Sequence, residues 1–474
     1  MSQQRTTPDP LRVLHERPDE CARWVLSPSQ ALVLLALLVL LVVLLIAWPV
    51  RTLVVVNATA IVFYLVHILY KARLVYLSLD RPACVQVSHE EMHELKPEFL
   101  PTYTILVPLH REASVLADLV AALGDLDYPD DRYTVFLLLE EDDEETLQAC
   151  EALDLPANFR PVVVPHSLPK TKPKACNWGL ELADSDLLVI YDAEDRPERD
   201  QLLKAAAAFR KLPRRVACLQ AKLNYYNPRQ NVLTRLFTAE YASWFDLFLP
   251  GLTAVGGPLP LGGTSNHFRT SVLKALGGWD PFNVTEDCDL GVRLHKHGYR
   301  TAMIDSTTWE EANSRLRSWI RQRSRWVKGY MQTYLVHMRA PLRLAEELGF
   351  DGFINFQMMV GGSIFCFLFN PIYWLLTLVW LGFHPPLIQR LFAPLGVYSA
   401  GVLCLFLGNF LFVYLSAAAC ANRRQWDLVK YSLLTPLYWI MMSVGAYKAL
   451  GQLVLRPFYW EKTDHGFFEG PTTG

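Results

Sequence analysis

A chain of 474 residues, 51% hydrophobic and with a mean hydropathy of +0.15, has room for a catalytic domain and carries more apolar sequence than one soluble core needs. Its net charge of −2 supplies no basic field, which argues against a nucleic-acid partner. The cysteines (Cys21, Cys84, Cys150, Cys176, Cys218, Cys288, Cys366, Cys404 and Cys420) lack paired spacing, so neither a disulfide framework nor a Cys-based zinc site is expected, and a reducing cytosol suits them.

In chain order, residues 1–29 are polar, hold Arg5, Arg12, Arg17 and Arg23, and are expected to form a cytoplasmic segment that is mobile or lies on a membrane surface. Residues 31–47 are an unbroken apolar run long enough to enter a bilayer core. Trp48-Pro49 and a second apolar segment, 53–70, follow where a signal peptide would offer small residues and a cleavage site. Residues 30–77 therefore predict two transmembrane helices joined by a tight turn. Basic residues before the first and Lys71 and Arg73 after the second place both outer ends in the cytoplasm. The linker 78–100 contains His89-Glu90-Glu91-Met92-His93, which matches the His-Glu-x-x-His pattern of zinc proteases. Its polar setting and Pro97 favour a solvated helix instead.

Residues 101–317 read as a cytoplasmic α/β domain. Strands are expected at 103–108, 133–139, 160–164 and 186–191, with a helix at 113–123, and this alternation predicts a mostly parallel sheet wound by helices. Two strands end in acids: Glu140-Glu141-Asp142-Asp143, and Asp192-Ala193-Glu194-Asp195. Open α/β sheets bind ligands at the carboxyl ends of their strands. Hard oxygen donors there suit Mg²⁺ or Mn²⁺ carrying a diphosphate, since such an ion takes only one or two protein carboxylates. The competing reading is an acidic turn with Pro197 opening the next helix. Further on, Thr285-Glu286-Asp287 precedes a helix through Leu290 and Leu294, where Thr and acids also serve as a cap.

Beyond the domain, 318–350 predicts basic amphipathic helices in the membrane interface. Residues 351–455 predict two or three membrane helices, the first broken at Asn370-Pro371, with four crossings in all preferred to five. Residues 456–474 form a cytoplasmic tail.

In their order and context, Asp192-Ala193-Glu194-Asp195, Thr285-Glu286-Asp287 and Gln322-Arg323-Ser324-Arg325-Trp326 resemble the family 2 glycosyltransferases. More narrowly, residues 104–326 resemble the membrane-embedded synthases of cellulose, chitin and hyaluronan. The resemblance implies a GT-A-like domain embedded between transmembrane and interfacial helices. It implies inverting transfer of a sugar from a nucleotide-sugar, of the UDP-hexose kind, to a growing β-linked polysaccharide, coupled to secretion.

On that resemblance Glu141 and Asp143 hold the base and ribose, and Lys174, with Lys170, Lys172 and Asn177 near it, faces the nucleotide. Asp192 binds Mg²⁺ or Mn²⁺ together with Glu194 or Asp195, the choice left open because Glu stands where the family usually has a second Asp. Arg323 and Arg325 neutralise the diphosphate. Thr285, Gln322 and Trp326 meet the acceptor, Asp287 is the general base, and Glu286 orients it or binds the acceptor. Residues 261–269 resemble the segment lining the acceptor site, and Trp460, Lys462 and Thr463 resemble a gating loop. The implied setting is a bacterial inner (plasma) membrane with the catalytic domain in the cytoplasm. The implied partners are a nucleotide-sugar, a glycan acceptor, the bilayer, and a second copy or secretion partner. A non-processive transferase acting on a membrane lipid shares the Gln-x-x-Arg-Trp motif and needs a lipid entrance rather than a continuous channel. A transporter or scaffold with an inactive domain predicts no sugar-nucleotide turnover.

Overall fold

The computed structural model describes residues 8–80 and 84–461. Nine strands form one sheet among these residues: β1 (Cys84–Val85), β2 (Tyr103–Leu109), β3 (Tyr133–Glu140), β4 (Phe159–Val164), β5 (Leu187–Ile190), β6 (Arg196–Pro197), β7 (Val216–Tyr225), β8 (Asn266–Arg269) and β9 (Arg300–Glu310). The order is β1-β9-β7-β8-β5-β2-β3-β4, with β6 beside β1 on the edge of β9 away from β7. All pairings are parallel except those of β8 with β5 and β7 and that of β6 with β9. The central strands are apolar without alternation because helices cover both faces; β5 is buried at every position.

The reversed strand matters for the site. Because β8 runs against β5, the residues leading into it lie beside the carboxyl end of β5. Ser265 donates its N–H to Ile190 O, and Thr264 Oγ1 donates to the same carbonyl. Two stretches far apart in sequence, 192–195 and 262–264, therefore meet at one sheet edge.

Four helices are long and apolar enough to cross a membrane among the described residues: Pro28–Ala47, Pro49–Leu79, Pro341–Phe383 and Leu395–Asn422. The first has no buried residue, as expected of a helix facing lipid. The Thr435–Leu455 helix is not among the four and packs along the Leu316–His337 helix, with Gly445 against Arg323.

Three expectations are corrected. The N-terminal segment is docked on the α/β domain rather than loose: Val13, Cys21 and Ala22 are buried, Asp280 accepts from Ala22 N at 2.6 Å, and Glu20 pairs with Lys296. Carbonyls of Pro18, Asp19 and Cys21 take up the Arg339 guanidinium, which ties the segment to the turn after the Leu316–His337 helix. Pro371 does not break its helix and lies inside Gly362–Phe383; the interruption is at Gly349 (φ 70°, ψ 164°), a conformation that suits glycine. Finally, the Leu316–His337 helix does not turn all its cations outward: Arg317 and Arg321 are exposed, but Arg323 and Lys328 are buried, held by Glu240 and Tyr459 O.

His89–His93 is a five-residue helix with a reciprocal Ser88–Glu91 cap. Met92 anchors it, and Glu91 pairs with Lys211.

Candidate active site

The carboxyl ends of β2, β3 and β5 open into a cavity of about 490 Å³. The Leu316–His337 helix and the start of the Glu286–Lys296 helix close it from the other side. Asp192 and Glu194 line it; Asp195 does not. Asp195 is buried, and its Oδ2 accepts from Asp192 N at 2.7 Å and from the Thr264 hydroxyl. That carboxylate holds the loop in shape, which leaves Glu194 as the partner of Asp192 facing the cavity. Burial, then the charges of Asp192 and Glu194, push Asp195 well above the ordinary carboxylate range.

Lys172, at the N-terminus of the Lys172–Leu182 helix, donates to Asp192 Oδ1 and to Gly263 O at 2.8 Å. Burial works against its charge, yet Asp192 and Glu286 hold its pKa above that of a free lysine. Lys174, the residue carried over from the resemblance, instead lies beneath the cavity, paired with Glu140 at 2.9 Å and 1% exposed. Asn177 staples Trp279 through its N–H and carbonyl.

Thr285, Glu286 and Asp287 all line the cavity at the head of their helix. Thr285 makes no side-chain cap, so the three residues face the cavity rather than serve the helix alone. Burial, then the adjacent Asp287 charge, raises Glu286 to about 7. Burial raises Asp287 to about 6, against the pull of the Cys288 N–H, Lys172 and Arg325. The helix is locked from below, where Asp289 is fully buried between Arg293 (2.7 Å) and His337 (2.9 Å).

Gln322, Arg325 and Trp326 lie one helical turn apart and share the face that meets the cavity. Among the described residues Gln322 Oε1 and Arg325 Nε have no hydrogen-bond partner although buried. Arg323 also touches the cavity, but its guanidinium is bound fork to fork to Glu240 and stands over the rings of Phe237 (4.3 Å) and Trp326 (4.6 Å). Its guanidinium is thus engaged within the chain, whereas Arg325 lines the cavity. Glu141 and Asp143 do not reach the cavity wall. Glu141 is exposed and accepts from His166 N. Asp143 caps the next helix and holds Arg111 N, which shapes the His110–Glu112 stretch of the wall.

Trp460 lines the cavity and stacks on Arg325 at 4.6 Å. Its segment is tied down by Lys328 to Tyr459 O (2.6 Å), Gln332 to Pro457 O (3.0 Å) and Lys448 to Glu461 (2.8 Å). Lys462 and Thr463 lie outside the described residues.

Sequence reasoning missed Glu310 and Glu240, both on the cavity wall, and left Lys172 undecided. Glu310 ends β9, and acids at a strand's carboxyl end are the signal that singled out Asp192. Nothing in the sequence marks Glu240.

Among the described residues no three His, Cys, Asp or Glu side chains converge as a metal cage. Asp192 and Glu194 nonetheless fit Mg²⁺ or Mn²⁺ held jointly with a diphosphate, which needs hard oxygens and few protein ligands. Lys172 stands at Asp192 as a cation of the same sign.

This sheet, cavity and acid set define a glycosyltransferase of the GT-A type. A family model described as Glycosyl transferase family group 2 matches residues 187–442, more than half of the chain, and the chain belongs to that family. It is 25% identical over 54% of its length to a probable glycosyltransferase of Bacillus subtilis, YdaM, covering 62% of that protein. It is 30% identical over half its length to the β-monoglucosyldiacylglycerol synthase of a Nostoc species, covering 50% of that protein. The chain thus spans only half to three-fifths of these relatives. Among solved structures, a mannosyltransferase from Pyrobaculum calidifontis in complex with GDP-mannose and Mn²⁺ is similar in fold. Its TM-score is 0.51 at 18% identity, over 85% of this chain and 99% of that one.

Proposed function

We propose that the chain is an inverting glycosyltransferase that moves a sugar from a nucleotide-sugar to the hydroxyl of a membrane lipid. The observation that carries this is a shared wall. A second cavity, of about 150 Å³ and set among the apolar helices, is lined by Glu240, Trp244, Ser363, Phe367 and Met442, which also line the first. An acceptor arriving from the bilayer side would therefore end beside Asp287.

Asp287 takes the proton from the acceptor oxygen as that oxygen attacks the anomeric carbon from the side opposite the departing diphosphate. Burial of Asp287 holds it as a base of suitable strength, and Glu286 keeps a second carboxyl beside it. Asp192 and Glu194 would hold Mg²⁺ or Mn²⁺, which offsets charge gathering on the leaving group. Arg325 and Lys172 add positive charge from this chain, and Gln322 and Thr285 offer polar atoms to the incoming sugar or acceptor. The catalytic domain stands in the cytoplasm of a bacterial cell, with the first and last basic flanks on that side.

A second reading, extension of a β-linked polysaccharide, is favoured by Trp326, Tyr241, Trp244 and Phe245 on the cavity wall, since sugar rings lie well against aromatic faces. One experiment separates the two. Purified protein is supplied with Mg²⁺ or Mn²⁺, membrane lipid and a panel of radiolabelled sugar nucleotides, wild type beside Asp287→Asn. Label in the lipid extract supports the first reading, high-mass product the second, and no turnover with any donor overturns both.

A further inference from the structure

The second cavity contains a cation that its surroundings do not explain. Lys71 is 4% exposed and lines this cavity, yet among the described residues no carboxylate lies within ion-pair distance of it. Its ammonium rests on Met359 Sδ (3.2 Å) and over the rings of Phe248 (4.7 Å) and Trp244 (5.2 Å). Glu240, on the same wall, is already matched by Arg323 and Tyr438. One turn away, buried His67 also lines the cavity, with its Nδ1 packed against Gly362 and, among the described residues, without a hydrogen-bond partner. Gly362 leaves that ring its room: a Cβ there would stand 2.4 Å from His67 Nδ1. A buried charge without an opposite charge is costly, so a site built this way fits an anion that arrives with its ligand.

Depth identifies the source of the anion. Residues 53–70 are the apolar run of their helix, and at ~1.5 Å per residue they cover about 27 Å, close to the ~30 Å of a bilayer core. Lys71 follows directly and the helix leads on toward β1, so the ammonium stands at headgroup level on the side of the catalytic domain. Trp244 and Trp439 line the same cavity, a use of indoles common at that depth.

We propose that this cavity binds the phosphate of an anionic lipid, with Lys71 as counter-ion. The proposal rests on the membrane reading and not on which acceptor is glycosylated, so lipid binding is tested apart from turnover. Full-length protein is reconstituted in nanodiscs of phosphatidylcholine with or without phosphatidylglycerol, and retained lipid is counted by native mass spectrometry after transfer to neutral detergent. Wild type is expected to retain phosphatidylglycerol over phosphatidylcholine. Lys71→Met should weaken this preference roughly tenfold or more, the size of one lost charge-assisted hydrogen bond, and Lys71→Arg should keep most of it. Nucleotide binding by each variant reports that the fold is intact. Equal retention of the two lipids by wild type, or an unchanged preference in a folded Lys71→Met, overturns the proposal. Inorganic phosphate competing as well as the lipid would also overturn it, by making the ligand a soluble anion.

Discussion

Asp287 and Glu286 share a corner of the cavity; burial raises Asp287, and burial and the Asp287 charge raise Glu286. A carboxylate raised to about 6, against the ordinary 3.8, is protonated and useless as a base below that value. Turnover should therefore fall as pH drops through about 6, not through the usual carboxylate range, in a kcat/KM profile. Asp287→Asn should lower kcat by about 10²- to 10⁴-fold with nucleotide-sugar affinity retained, checked by single-turnover kinetics beside calorimetry. For the charged residues, the sequence marked segments but not which side chain of each faces the cavity. Lys172 and Lys174 are two apart on one helix, a spacing that puts them on different faces, and only Lys172 meets Asp192. Arg323 and Arg325 divide in the same way, one toward Glu240 and one toward the cavity. Arg325→Met should accordingly raise the KM for donor more than Arg323→Met does, while the latter lowers the unfolding temperature more.

At the level of elements, the site depends on close approaches that only glycine allows. A Cβ on Gly291 would stand 1.9 Å from Leu259 O, and one on Gly329 would stand 2.3 Å from Thr285 Oγ1. Gly291→Ala should destabilise by about 1–3 kcal/mol, the usual penalty of overpacking, read as a lower denaturation midpoint. Asp289 sets the rotation of the helix that carries Asp287. Its replacement by Ala leaves Arg293 buried without its partner and should destabilise by about 3–5 kcal/mol, measured by thermal unfolding in detergent. Strand positions were legible because a parallel sheet covered on both faces needs continuous apolar runs, as 103–109, 133–140 and 187–190 supply. The antiparallel β8 was not legible. Its residues Asn266–Arg269 are few and mixed, and its partners supply the pairing that makes it a strand.

For the whole molecule, the membrane part and the catalytic part are one packed body rather than a domain on a tether. Gly251 meets the Pro49–Asp80 helix so closely that a Cβ would lie 2.0 Å from Leu74 O. The C-terminal segment 457–461 lies across the helix bearing Gln322 and Arg325, and so covers one side of the cavity. The sequence by itself determined what local chemistry determines: apolar runs that suit lipid, strands that suit a doubly covered sheet, acids at strand ends, and a motif set that marks the family. Tertiary structure alone decided which of those acids and cations face one another. That choice depends on helix phase, on a reversed strand and on contacts between segments as distant as Glu240 and Arg323, which no local pattern encodes.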